Sequence, residues 1–160
     1  MFFQAGAIII LLLFYGCYFG KMFLQKKKGI QTDQIGKGKT GRVKAIEITM
    51  KVATILVPLT EVLSIYINCS RLSGLLRYAG AVIATAGDIV FIISVLTMKD
   101  SWRAGVSETD KTELVTDGIY QISRNPAFGG FNLVYIGILL MFFNWIFFMK
   151  SCKVVYISIK

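Results

Sequence analysis

The residues around Asn125 and Pro126 have the types expected at a helix start that binds a small anion. Asparagine is a preferred N-cap, and proline suits the first helical position while it biases the preceding residue away from helical torsion angles. The free N–H groups and the positive dipole end of such a helix attract negative charge, and Arg124 stands beside them. We therefore expect a helix that begins at Pro126, with a site for a carboxylate. An N-cap before a membrane helix is also an ordinary structural feature, so spacing alone leaves the site open.

Two ionisable residues inside apolar runs, Glu61 and Asp88, are further candidates. An ionisable side chain within a membrane span is costly, and it therefore marks a possible functional site. A structural role stays open as well, since Glu61 can pair with Arg77 near the outer surface and Asp88 can hydrogen-bond between helices.

The elements that must position these residues are predicted to be membrane helices. The chain has 160 residues, of which 55% are hydrophobic and 17% charged, whereas about a quarter of a soluble domain is charged. A bilayer core about 30 Å thick needs roughly 20 apolar residues per helix, which leaves room for four to five spans. We expect one all-α domain over 1–160, a polytopic transmembrane helical bundle. Its spans are predicted at about 2–24, 43–67, 74–98 and 127–149.

The last apolar run has two interpretations, because Asn144 interrupts it. It forms either one span or two shorter helices of a hairpin that turns near Asn144 and Trp145. In the third span, the small residues Gly80, Ala84 and Gly87 predict close packing against another helix.

Basic residues are concentrated between Lys21 and Lys44, where eight bases and one acid give a net charge of +7. Short basic loops between spans face the cytoplasm and contact anionic lipid headgroups. We therefore predict cytoplasmic loops at 25–42 and 99–124. This interpretation is favoured over nucleic-acid binding, because no nucleic-acid fold signature accompanies the charge. Three cysteines without CxxC spacing and the lack of histidine predict no metal site.

The segment from Leu114 to Gly130 resembles the shared pattern of the isoprenylcysteine carboxyl methyltransferase family and its relatives among the phospholipid N-methyltransferases. That pattern reads approximately L-V-T-x-G-[IV]-Y-x-x-x-R-[HN]-P-x-Y-x-G. The matching residues are Leu114, Val115, Thr116, Gly118, Ile119, Tyr120, Arg124, Asn125, Pro126 and Gly130. Phe128 replaces the final tyrosine, and Asn125 is the variant of bacterial relatives, so the resemblance implies a bacterial cytoplasmic membrane.

The resemblance implies a membrane-embedded methyltransferase with S-adenosylmethionine as cofactor, which catalyses carboxyl O-methylation of an isoprenylcysteine-like, lipophilic acceptor. The implied cofactor-binding residues are Thr112, Glu113, Leu114, Val115, Tyr120, Arg124, Asn125, Pro126, Ala127 and Phe128. We further expect Trp102 and Arg103 to orient a lipid headgroup or the acceptor carboxylate. The expected partners are this lipophilic or lipidated substrate and membrane lipids. No residue is assigned as catalytic, because positioning can support a direct displacement by a carboxylate.

Family members continue past the hairpin into a cytoplasmic helix with acidic and basic residues, whereas no Asp or Glu follows Asp117. On this ground we expect a C-terminally truncated or divergent member with little or no methyl transfer. Two other functions stay open: an inactive membrane scaffold of the same family, and a small transporter that uses Glu61 and Asp88.

Overall fold

The protein is built from α-helices joined by turns, as described by a computed structural model over residues 1–30, 32–33, 40–68, 70, 72–103 and 115–143. Within these ranges the helices are α1 (Phe2–Lys27), α2 (Gly41–Ile67), α3 (Gly74–Met98) and α4 (Pro126–Met141). Single 3₁₀ turns lie at Lys99–Ser101 and Gly118–Gln121. The predicted all-α class is confirmed.

Three of the helices in the described ranges, α1, α2 and α3, are long and apolar enough to cross a membrane. The chain is therefore a multi-pass integral membrane protein. The 16 residues of α4 are apolar but span only about 24 Å, which is less than a hydrocarbon core of about 30 Å.

Two helix ends differ from the predicted bounds. α1 continues to Lys27, so Gln25 belongs to the helix and not to the loop. α4 ends at Met141, because Phe142 leaves the helical torsion angles with φ −127° and ψ 38°. The helix therefore does not run on to 149 as the one-span interpretation required. Asn144, where the alternative hairpin would turn, lies outside the described residues.

The close packing predicted for α3 is confirmed, and its partner is α4. A Cβ atom on Gly137 would lie 2.5 Å from the backbone N of Ala84, and one on Gly87 would lie 2.7 Å from that of Val134. No side chain fits at such a distance, so the two backbones touch through their small residues. In the most apolar part of each span, 39% of α3 is buried but only 12% of α2. α3 is therefore the central helix, and α2 is the most peripheral of the three long helices.

An aromatic cluster attaches α1 to the α3–α4 pair. The fully buried ring of Phe14 lies 4.6 Å from that of Phe91 on α3 and 5.2 Å from that of Phe131 on α4, measured between centroids. Beside it, the hydroxyl groups of Tyr15 and Tyr135 are 2.8 Å apart. Burial of these rings supplies a large apolar area, and the hydroxyl pair satisfies two polar groups within the bilayer.

Candidate anion site at the start of α4

The start of α4 has the cap that the sequence predicted. The side-chain Oδ1 of Asn125 accepts a hydrogen bond from the backbone N of Phe128 at 3.2 Å, and Pro126 is the first helical residue. The Asn125 backbone N donates to Oγ of Ser123 at 3.3 Å, which fixes the approach to the helix. Arg124 and Asn125 are both exposed. Pro126 has no N–H, and Phe128 and Gly129 donate theirs to Asn125, so the positive dipole end of α4 and the exposed Arg124, which precedes the cap in the chain, are the features that suit a carboxylate.

The turn Gly118–Gln121 is fastened to the end of α3. Gly118 has φ +58°, a left-handed torsion angle that glycine adopts without strain. The hydroxyl of Tyr120 donates to the backbone carbonyl of Ser94 at 3.4 Å. Burial raises the pKa of Tyr120, so the hydroxyl stays protonated as a donor. The Tyr120 ring is therefore tethered to α3, in the turn that leads to the start of α4.

The remaining predicted cofactor residues fall into three groups. Pro126 and Ala127 are buried in the first turn of α4, so they contribute backbone and shape. Phe128 is 51% exposed and its ring is parallel to that of Phe131, with centroids 6.5 Å apart. Val115 is partly buried at the start of its described segment. Thr112, Glu113 and Leu114 lie outside the described residues. Their role as cofactor contacts stays a prediction.

Trp102 is buried, with 5% of its surface exposed, and its ring meets that of Tyr18 edge-on at 5.5 Å between centroids. Arg103 follows it, and its Nη1 donates to the backbone carbonyls of Asp100 at 2.6 Å and Trp102 at 2.9 Å. The indole thus holds the segment after α3 against α1. Contact of either residue with a substrate stays a prediction.

Sequence reasoning missed the role of Gln25. Its Nε2 donates to the carbonyls of Trp102 at 3.0 Å and Asp100 at 3.3 Å, and its Oε1 accepts from the hydroxyl of Thr32 at 2.7 Å. Only 1% of Gln25 is exposed. A signal was present, because Gln25 continues at helical spacing the face of α1 that carries Tyr18, which packs on Trp102.

A surface ion pair reinforces this junction between α1 and the segment after α3. Nζ of Lys28 lies 2.7 Å from Oδ2 of Asp100. The hydrogen bond from Lys28 lowers the pKa of Asp100 below its usual range. The last turn of α1 therefore holds the entry to the 99–124 segment by both a buried and an exposed contact.

Glu61 and Asp88 are buried in α2 and α3, with 6% and 4% of their surfaces exposed. Oε2 of Glu61 and both carboxyl oxygens of Asp88 have no hydrogen-bond partner among the described residues. Arg77 donates instead to Oδ1 of Asn68 at 3.2 Å and stands over the ring of Phe3 at 4.3 Å. Within the described residues, the pairing of Glu61 with Arg77 and the interhelical hydrogen bond of Asp88 are therefore both absent.

Fold and site together define a helical multi-pass membrane protein that carries an exposed, capped helix start suited to an anion. A family model, Isoprenylcysteine carboxyl methyltransferase (ICMT) family, matches residues 80–159, and the chain belongs to that family of membrane methyltransferases. No curated protein and no solved structure matches the chain. The matched range begins at Gly80, at the contact between α3 and α4, and it includes the Tyr120 turn and all of α4. Gln25 lies outside it.

Proposed function

We propose that the protein is an S-adenosylmethionine-dependent methyltransferase that acts on a lipophilic acceptor, by carboxyl O-methylation of an isoprenylcysteine-like substrate. Membership of the methyltransferase family supports the reaction class. The observation that carries the cofactor assignment is the exposed start of α4, where Asn125 caps the helix beside Arg124. S-adenosylmethionine carries a carboxylate, and a helix N-terminus with an adjacent guanidinium is a favourable place for one.

The residues near the start of α4 bind different parts of the cofactor. The first turn of α4 and Arg124 hold the carboxylate of the methionine part. Tyr120, kept in place by Ser94, flanks the adenosine together with the Leu114–Val115 stretch. When bound, the cofactor supplies an electrophilic methyl group.

The acceptor side needs little acid–base chemistry. A carboxylate is already ionised near neutral pH, so it attacks the methyl carbon without a general base. The chain has no histidine to act as one. What the protein must supply is alignment of the two reactants, and good alignment is worth about 7 to 11 kcal/mol of a barrier. α4 starts beside the last turns of α3, since Gly130 lies against Phe91, and an acceptor dissolved in the bilayer therefore reaches its start along the spanning helix.

Binding of labelled S-adenosylmethionine to the protein in nanodiscs tests the proposal. Arg124→Ala should weaken binding by roughly 1 to 3 kcal/mol, the scale of a charge-assisted hydrogen bond. Arg42→Ala removes an exposed base at the start of α2 and serves as the matched control, with unchanged affinity. Equal affinity of the wild type and Arg124→Ala would place the cofactor elsewhere.

A second candidate function, a small transporter, is favoured by the unpartnered carboxyl oxygens of Glu61 and Asp88. The same assay separates the two, since Asp88→Asn should leave cofactor binding intact if α4 forms the site. Loss of binding in Asp88→Asn but not in Arg124→Ala would support the span carboxylates instead.

A further inference from the structure

Three successive lysines stand at the end of α1, the third of them as its C-cap, and their side chains have different surroundings. Nζ of Lys27 stands 4.8 Å from the centroid of the Phe23 ring, and Lys28 is paired with Asp100. Lys26 is exposed, and it makes no ion pair within the described residues. Because it is unpaired among the described residues and stands at the end of a membrane helix, the Lys26 ammonium group is placed to bind an external anion at the headgroup level.

Lys26 lies at one end of a depression of about 850 Å³. One wall is a single face of α1, formed by Phe19, Met22, Phe23 and Lys26 at helical spacing. The other wall is the segment that follows α1, formed by Gly29, Ile30, Thr32 and Asp33. The depression is thus apolar along the helix and basic at its end.

The second wall is held in place by the chain reversal after α1. Gly29 turns the chain with φ +75°, and the backbone N of Ile30 donates to the carbonyl of Gln25 at 3.0 Å. Thr32 then donates its hydroxyl to the side chain of Gln25. The second wall is therefore fixed against the end of α1 by contacts within the protein.

The charge of the depression suits an anion. Its one acid, Asp33, lies 2.7 Å from Nζ of Lys51 on α2, so its charge is compensated. The surrounding segment from Lys21 to Lys44 carries a net charge of +7. A basic segment of this kind next to a membrane helix attracts anionic lipids.

We propose that this depression binds one anionic phospholipid of the surrounding bilayer, with its phosphate at Lys26 and an acyl chain along Phe19, Met22 and Phe23. The distance from Phe19 to Lys26 along the helix, about 10 Å, reaches from the hydrocarbon region to the headgroup level. A soluble phosphate would leave the aromatic wall unused, because it has no apolar part to bury there. The proposal does not depend on methyl transfer.

The test measures lipid retention by native mass spectrometry of the whole protein released from nanodiscs of phosphatidylglycerol and phosphatidylcholine. The wild type should retain one phosphatidylglycerol in preference to phosphatidylcholine. Lys26→Gln should reduce this retention about fivefold, which corresponds to the binding free energy of about 1 kcal/mol that one lysine contributes near an anionic lipid surface. Lys44→Gln removes the same charge from an exposed position outside the depression, and it should reduce retention by less than about twofold.

Two further measurements test the apolar wall and the need for an acyl chain. Phe19→Ala shortens the apolar wall and should weaken retention of phosphatidylglycerol while the charge is unchanged. Glycerol phosphate, which has the headgroup but no chain, should not compete. Equal losses in Lys26→Gln and Lys44→Gln, competition by glycerol phosphate, or equal retention of the two lipids would each overturn the proposal.

Discussion

The side-chain amide of Gln25, at the end of α1, donates a hydrogen bond to the backbone carbonyl of Trp102 at 3.0 Å, and both residues are buried. This bond joins the first helix to the segment that leads from α3 towards the Tyr120 turn and α4. The matched family range begins at Gly80, so the contact links the family-defining half of the chain to the half outside that range. The first helix thereby holds the beginning of the segment that follows α3.

Replacing Gln25 should loosen this junction. Gln25→Leu leaves two backbone carbonyls and the Thr32 hydroxyl without their partner, which should lower the free energy of unfolding by about 1 to 3 kcal/mol. Trp102 should then become more solvated, and its fluorescence should shift to longer wavelength in a Trp145→Phe background. The control is Gln4→Leu, which removes a single bond to the carbonyl of Ile65 at the other end of α1 and should leave the emission unchanged.

The glycine contacts predict a sharp difference between adjacent positions of α4. A Cβ on Gly130 would lie 2.7 Å from the backbone N of Phe91, whereas one on Gly129 would meet nothing within 4 Å. Gly130→Ala should therefore destabilise the protein by about 1 to 3 kcal/mol. Gly129→Ala should be neutral or stabilising by up to about 1 kcal/mol, because alanine favours helix. Thermal unfolding in detergent measures both, and similar values for the two variants would contradict the backbone contact.

Asn125 offers a way to separate the cap from the anion site. Asn125→Asp keeps an oxygen that accepts from the N of Phe128, and its charge suits the helix dipole, so folding stability should be kept or improved. The same charge should repel a bound carboxylate and weaken S-adenosylmethionine binding by at least about tenfold. Asn125→Ala should instead lower stability by about 1 kcal/mol. If Asn125→Asp binds the cofactor as tightly as the wild type, no carboxylate lies at this helix start.

The pair of Lys28 and Asp100 predicts a pH dependence with a defined sign. The hydrogen bond from Lys28 lowers the pKa of Asp100 in the folded protein. Its contribution to stability is therefore fully present above the usual aspartate pKa of about 3.9, and it is lost as the pH falls through the lower, folded pKa. The stability difference between the wild type and Asp100→Asn should shrink between about pH 5 and about pH 3. Thermal unfolding at several pH values, with Asp117→Asn as the control, measures this difference.

The basic segment between Lys21 and Lys44 predicts that the loops at 25–42 and 99–124 face the cytoplasm. With the native cysteines replaced, single cysteines at Arg42 and Asp117 should be protected from an impermeant reagent added to intact cells. A cysteine at Ser73, which is exposed at the opposite end of α3, should react. Labelling of the first two and protection of the third would reverse the proposed topology.

Local signals explain what the sequence predicted well. The cap at Asn125 and the proline at the first helical position are each set by the residue's own chemistry, and both are present. The small residues of α3 predicted a close helix contact. The small residues of α3 did not indicate that α4 is the partner. The choice of partner depends on the surface of the second helix, where Gly130 and Gly137 allow the close approach.

The features that the sequence did not predict are those set by contacts across the fold. Gln25 is separated from Trp102 by 77 positions. The residues next to Gln25 in the chain therefore do not indicate which distant carbonyl accepts its hydrogen bond. Likewise, Nζ of Lys51 on α2 lies 2.7 Å from Oδ2 of Asp33, a residue that precedes the helix. The cofactor role of the helix start stays a prediction, because an N-cap alone does not identify its ligand.

The glycine contacts between α3 and α4 also limit how the molecule can move. The backbones of α3 and α4 touch at Gly80, Gly87 and Gly137. Sliding or separating the two helices would break many close contacts at once, so we expect them to move as one rigid unit. α2 has little of its surface buried and a loose attachment by comparison. The surrounding membrane is therefore in contact with most of α2, and a shift of α2 against the other described helices breaks fewer close contacts than a separation of α3 from α4.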